Sequence, residues 1–144
     1  MHDRSGGFDT LRRSSLAGSG STSVTVLCMI VGIGTDLVVI ERFKKMLDER
    51  PKLGERLLTD GERRLSVESQ AARFSAKESL AKALGSPGGM RWLDCEVVRS
   101  ADGEPSFVTT GSVAARIAAL GVTRIHLSIS HDGGFATTMV VCES

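Results

Sequence analysis

The chain has 144 residues, of which 41% are hydrophobic and 24% charged, and its formal net charge at pH 7 is +1. This size and composition predict one ordinary globular domain, and the near-zero charge excludes a general attraction to nucleic acid or to an anionic membrane. Tyrosine is absent, which argues against a stacking platform for single-stranded nucleic acid, and no apolar run approaches the roughly 20 residues of a membrane span.

Residues 1–28 have the composition of a disordered extension, because they are rich in Ser and Gly and hold few apolar side chains. Arg12 and Arg13 precede an apolar run, but that run is too short for an export signal and no small-residue cleavage site follows it. Met29 resembles a natural first residue, so the segment before it is a cloning remnant, a misassigned start or a genuine extension. We expect the folded domain at 29–144.

A short strand opens this domain. Residues 30–37 form a β-branched apolar run that is too short for a helix, and the run ends near Asp36. Gly32 and Gly34 match only part of a dinucleotide-binding loop, since the third glycine and the following helix start are missing. We therefore expect these glycines to let another backbone segment approach closely.

Helices follow the strand. The first is expected at 40–49, where Pro51 limits it, and a second at 52–58. Thr59 and Glu62 have the spacing of a capping box, which predicts the start of a third short helix.

The longest predicted helix covers 69–84 and ends at Gly85, a residue that readily closes a helix in the left-handed conformation. At about 100° per residue, small side chains lie on one face and charged ones on the opposite arc. The small face holds Ala72, Ala76, Ser79 and Ala83, and the charged arc holds Phe74, Lys77, Glu78, Ala81 and Lys82. A carboxylate between two lysines suits a phosphate with a divalent cation, although Glu78 and Lys82 also match an ordinary i,i+4 pair on a solvated helix.

The last third of the chain is mostly strand. Strands are expected at 92–99, 105–109, 123–130 and 135–141. The Asp102-Gly103 pair predicts a hairpin between the first two, and Ser112 is expected to cap a helix that ends at Gly121. The pattern as a whole predicts an α+β fold, with a mainly antiparallel sheet wrapped on the long central helix.

The main candidate functional residues of the chain are two carboxylates. No Ser/His/Asp order, Cys/His pair or zinc-ligand cluster is present, and the three isolated cysteines indicate reduced thiols in a cytoplasmic protein. Asp36 and Glu78 are hard oxygen ligands close to lysines, which suits magnesium bound together with phosphates. A lone histidine before a turn, such as His131, is usually a surface residue, and a functional role is the alternative.

Several motifs together resemble one family. Gly34-Thr35-Asp36-Leu37, then Phe74-x-x-Lys77-Glu78-x-x-x-Lys82, and finally Ser130-His131 occur in order from Met29 to the C-terminus. This ordered set resembles the holo-acyl-carrier-protein synthases, the small single-domain class of phosphopantetheinyl transferases. The resemblance implies transfer of the 4′-phosphopantetheine arm of coenzyme A to a serine of apo acyl carrier protein, with release of 3′,5′-ADP. It also implies a compact homotrimer with active sites between subunits.

The resemblance implies roles for individual residues. Asp36 and Glu78 would hold Mg²⁺, Lys77 would stabilise or protonate the departing phosphate, and Lys82 would hold phosphate or pantetheine. The base that accepts the serine proton stays open between Glu78 and a metal-bound water. The expected coenzyme A contacts further include Arg73, Gly85, Pro105, Ser130 and His131. The expected carrier-protein contacts are Arg42, Lys44 and Lys45, which also fit a plain solvated helix surface.

Two other classes of function remain open at this point. One is a non-catalytic module that binds coenzyme A or a nucleotide, and the other is a structural trimer. Asp36 and the Lys77-Glu78 pair argue against the binding module, because binding alone does not require two magnesium ligands. A structural trimer would tolerate the loss of all these charges. The sequence does not distinguish a fatty-acid from a polyketide carrier protein, nor does it indicate which subunit supplies which part of a site.

Overall fold

The computed structural model describes residues 28–144, so the predicted disorder of the N-terminal extension lies outside the described residues except at Cys28. The elements run in the order β1 Ile30–Val39, α1 Ile40–Glu49, α2 Pro51–Leu57, α3 Asp60–Arg63, α4 Val67–Ala83, a 3-10 turn Trp92–Asp94, β2 Cys95–Arg99, β3 Pro105–Thr109, α5 Gly111–Ala119, β4 Arg124–Asp132 and β5 Phe135–Glu143. In this part of the chain no helix is long and apolar enough to cross a bilayer.

Two antiparallel sheets contact α4. The larger has three strands in the order β1-β5-β4, and the smaller is the β2-β3 hairpin. The predicted α+β fold is confirmed, with the long helix lying against one face of the larger sheet.

Glycines in β1 bring the strand into backbone contact with α4. A Cβ added at Gly32 would lie 1.9 Å from the carbonyl oxygen of Ala83, and one at Gly34 would lie 1.9 Å from that of Ser79. No side chain fits in such a space, so the prediction of close backbone approach is confirmed.

The small face of α4 packs on β5 through hydroxyl groups. Thr138 Oγ1 lies 2.7 Å from Ser79 Oγ and 3.0 Å from Ser75 Oγ, and all three residues are buried. The predicted alanines of this face are buried as well. Because each buried hydroxyl has a partner, these contacts fix the position of α4 along the sheet.

Two hydrophobic clusters flank α4. One joins the helix to the sheet and α5 through Leu80, Leu84, Val113, Val122, Val140 and Cys142. The other joins it to α1 and α2 through Phe43, Leu57, Leu58 and Ala71, with Phe74 and Trp92 packed alongside. The helix is therefore supported on both sides, so its few outward-facing residues are held in place.

The larger sheet leaves its other face apolar and open in a single chain. Directly opposed residues share a face, and this outer face carries Ile33, Leu37, Val39, Phe135 and Met139, each at least 41% exposed. On β4 the same face continues with polar residues, since Ser128 opposes Met139 and Ser130 opposes Thr137. A contiguous apolar surface of this kind is typical of an interface.

Some local predictions were wrong. Ser112 lies inside α5, whose N-cap is Thr110, and its hydroxyl donates to Asp94 Oδ2 at 2.7 Å. Trp92–Asp94 is a 3-10 turn rather than the start of a strand. Pairing with β5 extends β4 to Asp132, so His131 lies within a strand rather than at its end. Local sequence signals do not include this cross-strand pairing.

Candidate active site

Asp36 lies on the face of β1 that meets α4, opposite the buried Thr138 of β5. Its side chain is 15% exposed, and Oδ1 accepts a hydrogen bond from Lys82 Nζ at 2.8 Å. Lys82 Nζ also donates to the carbonyl of Thr35 at 2.8 Å. The second oxygen, Asp36 Oδ2, is buried without a hydrogen-bond partner within residues 28–144, so it is available to a ligand.

Glu78 is the second carboxylate of the site, one helical turn before Lys82. Burial raises the pKa of Glu78, the negative charge of Asp36 raises it further, and the positive charge of Lys82 opposes the rise. The effect of Asp36 on the pKa of Glu78 indicates that the two carboxylates lie near each other. A protein that keeps two like charges together there gains from binding a cation between them.

A cleft of about 640 Å³ opens in front of the two carboxylates. Helix α1 contributes Arg42 and Lys45 to its lining, and Arg50 follows at the end of that helix. The rings of Phe43 and Phe74 form an apolar part of the cleft wall. Glu49 also lines the cleft and pairs with Lys45 at 3.8 Å. A ligand with phosphate groups suits such a cleft, because cationic side chains lie in the same lining as the two carboxylates. Arg50 was missed by the sequence reasoning, since nothing distinguishes it there from other surface arginines.

The donor set fits a hard divalent cation. Within the described part of the chain, no group of three or more His, Cys, Asp or Glu side chains lies close enough to hold a metal ion. Asp36 and Glu78 are nevertheless two oxygen donors, and Asp36 Oδ2 lacks any other partner among residues 28–144. A two-carboxylate set suits Mg²⁺, which usually takes its remaining ligands from water and substrate phosphates.

Lys77 does not line this cleft. The prediction that it lies on the same accessible charged face of the helix as Glu78 and Lys82 was wrong. Its side chain is fully buried, and Nζ donates to Glu62 Oε2 at 2.7 Å, to the carbonyl of Leu57 at 2.9 Å and to that of Trp92 at 3.1 Å. These contacts use all three ammonium hydrogens. Helical periodicity gives the angle of a side chain but not what covers it, and here α2, α3 and the Trp92 turn cover Lys77. Glu62, recognised in the sequence only as part of a capping box, is the partner that was missed.

Arg73 also faces away from the cleft. It is 8% exposed, Nη1 donates to the carbonyl of Ser69 at 3.2 Å, and Nε has no partner within the described residues. Burial lowers its pKa, which the negative charge of Glu62 partly offsets. Arg73 therefore lies on the Glu62 side of α4, apart from Asp36 and Glu78.

The other residues predicted to contact coenzyme A lie apart from this cleft in a single chain. Ser130 lies on the outer face of the larger sheet, His131 pairs with Ala136 on β5, and Pro105 pairs with Arg99 on the hairpin. Hydrogen bonds from its own backbone N–H and from Ser66 lower the pKa of Glu68 at the start of α4, and His131 and Lys44 contribute less to the same shift. Glu68, His131 and Lys44 are all absent from the cleft lining. Gly85 ends α4 with φ +82° and borders a smaller groove near Lys82. One chain thus brings together Asp36, Glu78, Lys82, Arg42 and Lys45.

Comparison with known proteins identifies the family of this chain. The family model described as the 4′-phosphopantetheinyl transferase superfamily matches residues 32–139. A holo-[acyl-carrier-protein] synthase of Clavibacter sepedonicus is 56% identical over 115 residues, covering 80% of this chain and 97% of that protein.

Solved structures agree too. A holo-(acyl-carrier-protein) synthase from Bacillus anthracis in complex with CoA (3′,5′-ADP) superposes with a TM-score of 0.66 at 39% identity, covering 81% of this chain and 98% of that one. The Helicobacter pylori enzyme in complex with coenzyme A gives a TM-score of 0.67 at 30% identity, covering 76% and 98%.

The fold and the family match define an enzyme of the 4′-phosphopantetheinyl transferase superfamily. Within that superfamily the chain belongs to the holo-[acyl-carrier-protein] synthases, as the identity and coverage of its relatives establish. The resemblance drawn from the ordered motifs is therefore confirmed.

Proposed function

We propose that this protein transfers the 4′-phosphopantetheine arm of coenzyme A to a serine of apo acyl carrier protein, in a Mg²⁺-dependent reaction that releases 3′,5′-ADP. The observation that carries the proposal is the buried Oδ2 of Asp36, which has no partner among residues 28–144 and lies beside Glu78 in a cleft that Arg42, Lys45 and Arg50 also line. Family membership supports the same reaction class.

Asp36 and Glu78 are the residues that would hold the metal. When bound, Mg²⁺ would neutralise negative charge on the pyrophosphate oxygens of coenzyme A and so make the phosphorus under attack more electrophilic. Lys82 is near enough to Asp36 to exchange its carboxylate partner for a substrate phosphate. Glu78, with its raised pKa, is a stronger proton acceptor than an exposed glutamate.

Helix α1 is the proposed docking site for the carrier protein. Arg42 and Lys45 line the cleft in front of the carboxylates, whereas Lys44 is exposed outside that lining. Lys45 also pairs with Glu49 on the same helix at 3.8 Å, but both side chains are exposed, so Lys45 can exchange this partner for another carboxylate. Such local basic groups on a nearly neutral protein attract an acidic partner without promoting general association. An acidic carrier protein docked on α1 would therefore bring its serine toward Asp36 and Glu78.

We further propose that the active enzyme is a homotrimer. The exposed apolar outer face of the sheet supports assembly, because a stable monomer rarely leaves such a surface uncovered. The dispersed positions of Ser130, His131 and Pro105 support a site completed by a neighbouring subunit.

Intact-mass spectrometry tests the proposal. The protein is incubated with coenzyme A, Mg²⁺ and apo acyl carrier protein, and the carrier is expected to gain the mass of phosphopantetheine while 3′,5′-ADP appears in equal amount. A non-catalytic coenzyme A-binding module would bind the nucleotide and leave the carrier mass unchanged. That outcome, in a preparation shown to be folded, would overturn the transferase proposal.

A further inference from the structure

Adjacent residues of α4 point to opposite environments. Lys77 is fully buried between α2, α3 and the Trp92 turn, whereas Glu78 lines the cleft that contains Asp36. Successive residues on a helix are separated by about 100°, so the direction of Lys77 determines that of Glu78. Any contact that holds Lys77 in place therefore also orients a proposed metal ligand.

Glu62 holds Lys77 within a fully connected set of contacts. Glu62 is 1% exposed, and its Oε2 accepts from Lys77 Nζ at 2.7 Å and from the backbone N–H of Thr59 at 2.9 Å. Its Oε1 accepts from the backbone N–H of Val97 at 2.9 Å. The pair thereby joins α3, α4 and β2 at one buried point.

Lys77 extends the same connections from its own side. Its ammonium donates to carbonyl oxygens at the end of α2, on Leu57, and in the 3-10 turn, on Trp92. Since every ammonium hydrogen is engaged and no part of the side chain is exposed, Lys77 has no hydrogen left to give to a substrate.

A buried ion pair is a poor source of net stability, because desolvation offsets much of the attraction, but its geometry is specific. Side-chain tips lie about 5–6 Å from a helix axis, so a rotation of about 15° would move the Glu78 carboxylate by about 1.5 Å. A displacement of about 1 Å at a reacting group is enough to cost two orders of magnitude in rate.

We propose that Glu62 and Lys77 are positioning residues, which fix the rotation of α4 so that Glu78 meets Asp36. The inference rests on the proposed transferase function for its kinetic readout. It replaces the expectation that Lys77 acts on the departing phosphate. The effect of either residue on catalysis is then indirect and passes through the orientation of Glu78.

The test compares Lys77→Met, Glu62→Gln and the double variant with wild type and with Lys52→Met, a control at an exposed lysine of α2. Each preparation is corrected for its folded fraction by circular dichroism. Transfer is followed by carrier mass, and cation affinity is measured directly with Mn²⁺ alone, from the loss of its free electron paramagnetic resonance signal.

Positioning predicts that Lys77→Met lowers kcat and weakens Mn²⁺ binding about 10- to 100-fold, the range for residues that orient a metal ligand, with KM for the carrier unchanged. In the double variant no buried charge is left unpaired, so kcat and Mn²⁺ affinity are expected to recover together by about three- to tenfold over Lys77→Met. Both should stay below wild type, because the contacts that fix the rotation of α4 are absent. Lys52→Met is expected to behave as wild type.

Two results would overturn the inference. If the double variant folds and binds Mn²⁺ as wild type but stays as inactive as Lys77→Met, then Lys77 acts directly on the substrate. If all variants match wild type per folded molecule in kcat and Mn²⁺ affinity, the pair is only structural. Should wild type bind Mn²⁺ yet transfer nothing, the proposed function fails, and the Mn²⁺ series still decides the positioning role.

Discussion

The ammonium of Lys82 lies 2.8 Å from Oδ1 of Asp36, across 46 positions of sequence. Lys82 therefore pairs with β1 rather than with Glu78 on its own helix. This contact neutralises one oxygen of Asp36 and leaves Oδ2 buried without a partner among the described residues. A cation that enters there meets one unpaired oxygen and the carboxylate of Glu78.

The raised pKa of Glu78 predicts a pH-dependent effect of Glu78→Gln on stability. Burial, and then Asp36, raise this pKa above the ordinary value of 4.5. The wild-type carboxyl therefore contributes stability below its unfolded pKa and loses that contribution as the pH rises through its folded pKa. Urea unfolding should show Glu78→Gln to be more stable than wild type near neutral pH, with the difference shrinking below pH 4.5.

A control variant and a second measurement with Mg²⁺ accompany that experiment. Glu55→Gln, at an exposed position of α2, should follow wild type throughout. Mg²⁺ should stabilise wild type and not Glu78→Gln, because only the ionised pair attracts it. Equal stability of Glu78→Gln and wild type at every pH would contradict the burial of this carboxyl.

Gly34 should not tolerate even a methyl group. An alanine Cβ would lie 1.9 Å from the carbonyl oxygen of Ser79, so α4 and β1 would have to separate. We expect Gly34→Ala to lose about 3 kcal/mol of unfolding free energy and to weaken cation binding at the neighbouring Asp36. Gly88→Ala is the matched control, since no atom lies within 4 Å of its added Cβ, and its stability should change by less than about 1 kcal/mol.

The docking role of α1 predicts a ranking among its three basic residues. Arg42 and Lys45 line the cleft and Lys44 does not, so replacing either of the first two by alanine should raise KM for the carrier protein more than Lys44→Ala. The expected increase is about two- to fivefold at low ionic strength, equivalent to about 0.4–1 kcal/mol, and it should diminish with added salt.

Arg64→Ala, at an exposed arginine after α3, is the control for charge alone. If it raised KM as much as Arg42→Ala, a general electrostatic effect would replace docking on α1. An unchanged KM for Arg42→Ala would exclude this residue from the carrier surface.

If the apolar outer face of the sheet is the subunit interface, a charged side chain introduced there should dissociate the assembly. Leu37 is 63% exposed in a single chain, and Leu37→Glu places a carboxylate in the middle of that face. Sedimentation velocity should show a trimer for wild type and a smaller species for Leu37→Glu, with loss of transfer activity because each site lacks its neighbour. Leu65→Glu, at an exposed leucine off the sheet, should remain trimeric. A fully active monomer would contradict the site between subunits.

Local signals in the sequence predicted much of the fold. The bounds of α1, the capping box at Thr59 and the β2-β3 hairpin follow from helix limits, cap spacing and turn residues, and each is confirmed. Such features depend on residues close in sequence, so periodicity and capping rules suffice for them.

Contacts between distant segments could not be predicted in the same way. Lys77 and Glu62 are 15 positions apart on different helices, and their pairing depends on how α2 and α3 fold over α4. Residue chemistry singled out Asp36 and Glu78 as candidate magnesium ligands, and the family resemblance placed them in one site. Their proximity could not be predicted from local signals, because nothing in strand or helix periodicity specifies which helix covers β1.

The measurement that tests the account most directly is the rate of carrier modification by Asp36→Asn, followed by intact mass with coenzyme A and Mg²⁺. The change keeps the shape of the side chain but removes its charge, and Asp48→Asn on the exposed surface of α1 is the control. We predict transfer by wild type and Asp48→Asn, and a rate about 10²- to 10³-fold lower for a folded Asp36→Asn. Transfer by Asp36→Asn at the wild-type rate would contradict the assignment of the Asp36–Glu78 pair as the reactive site.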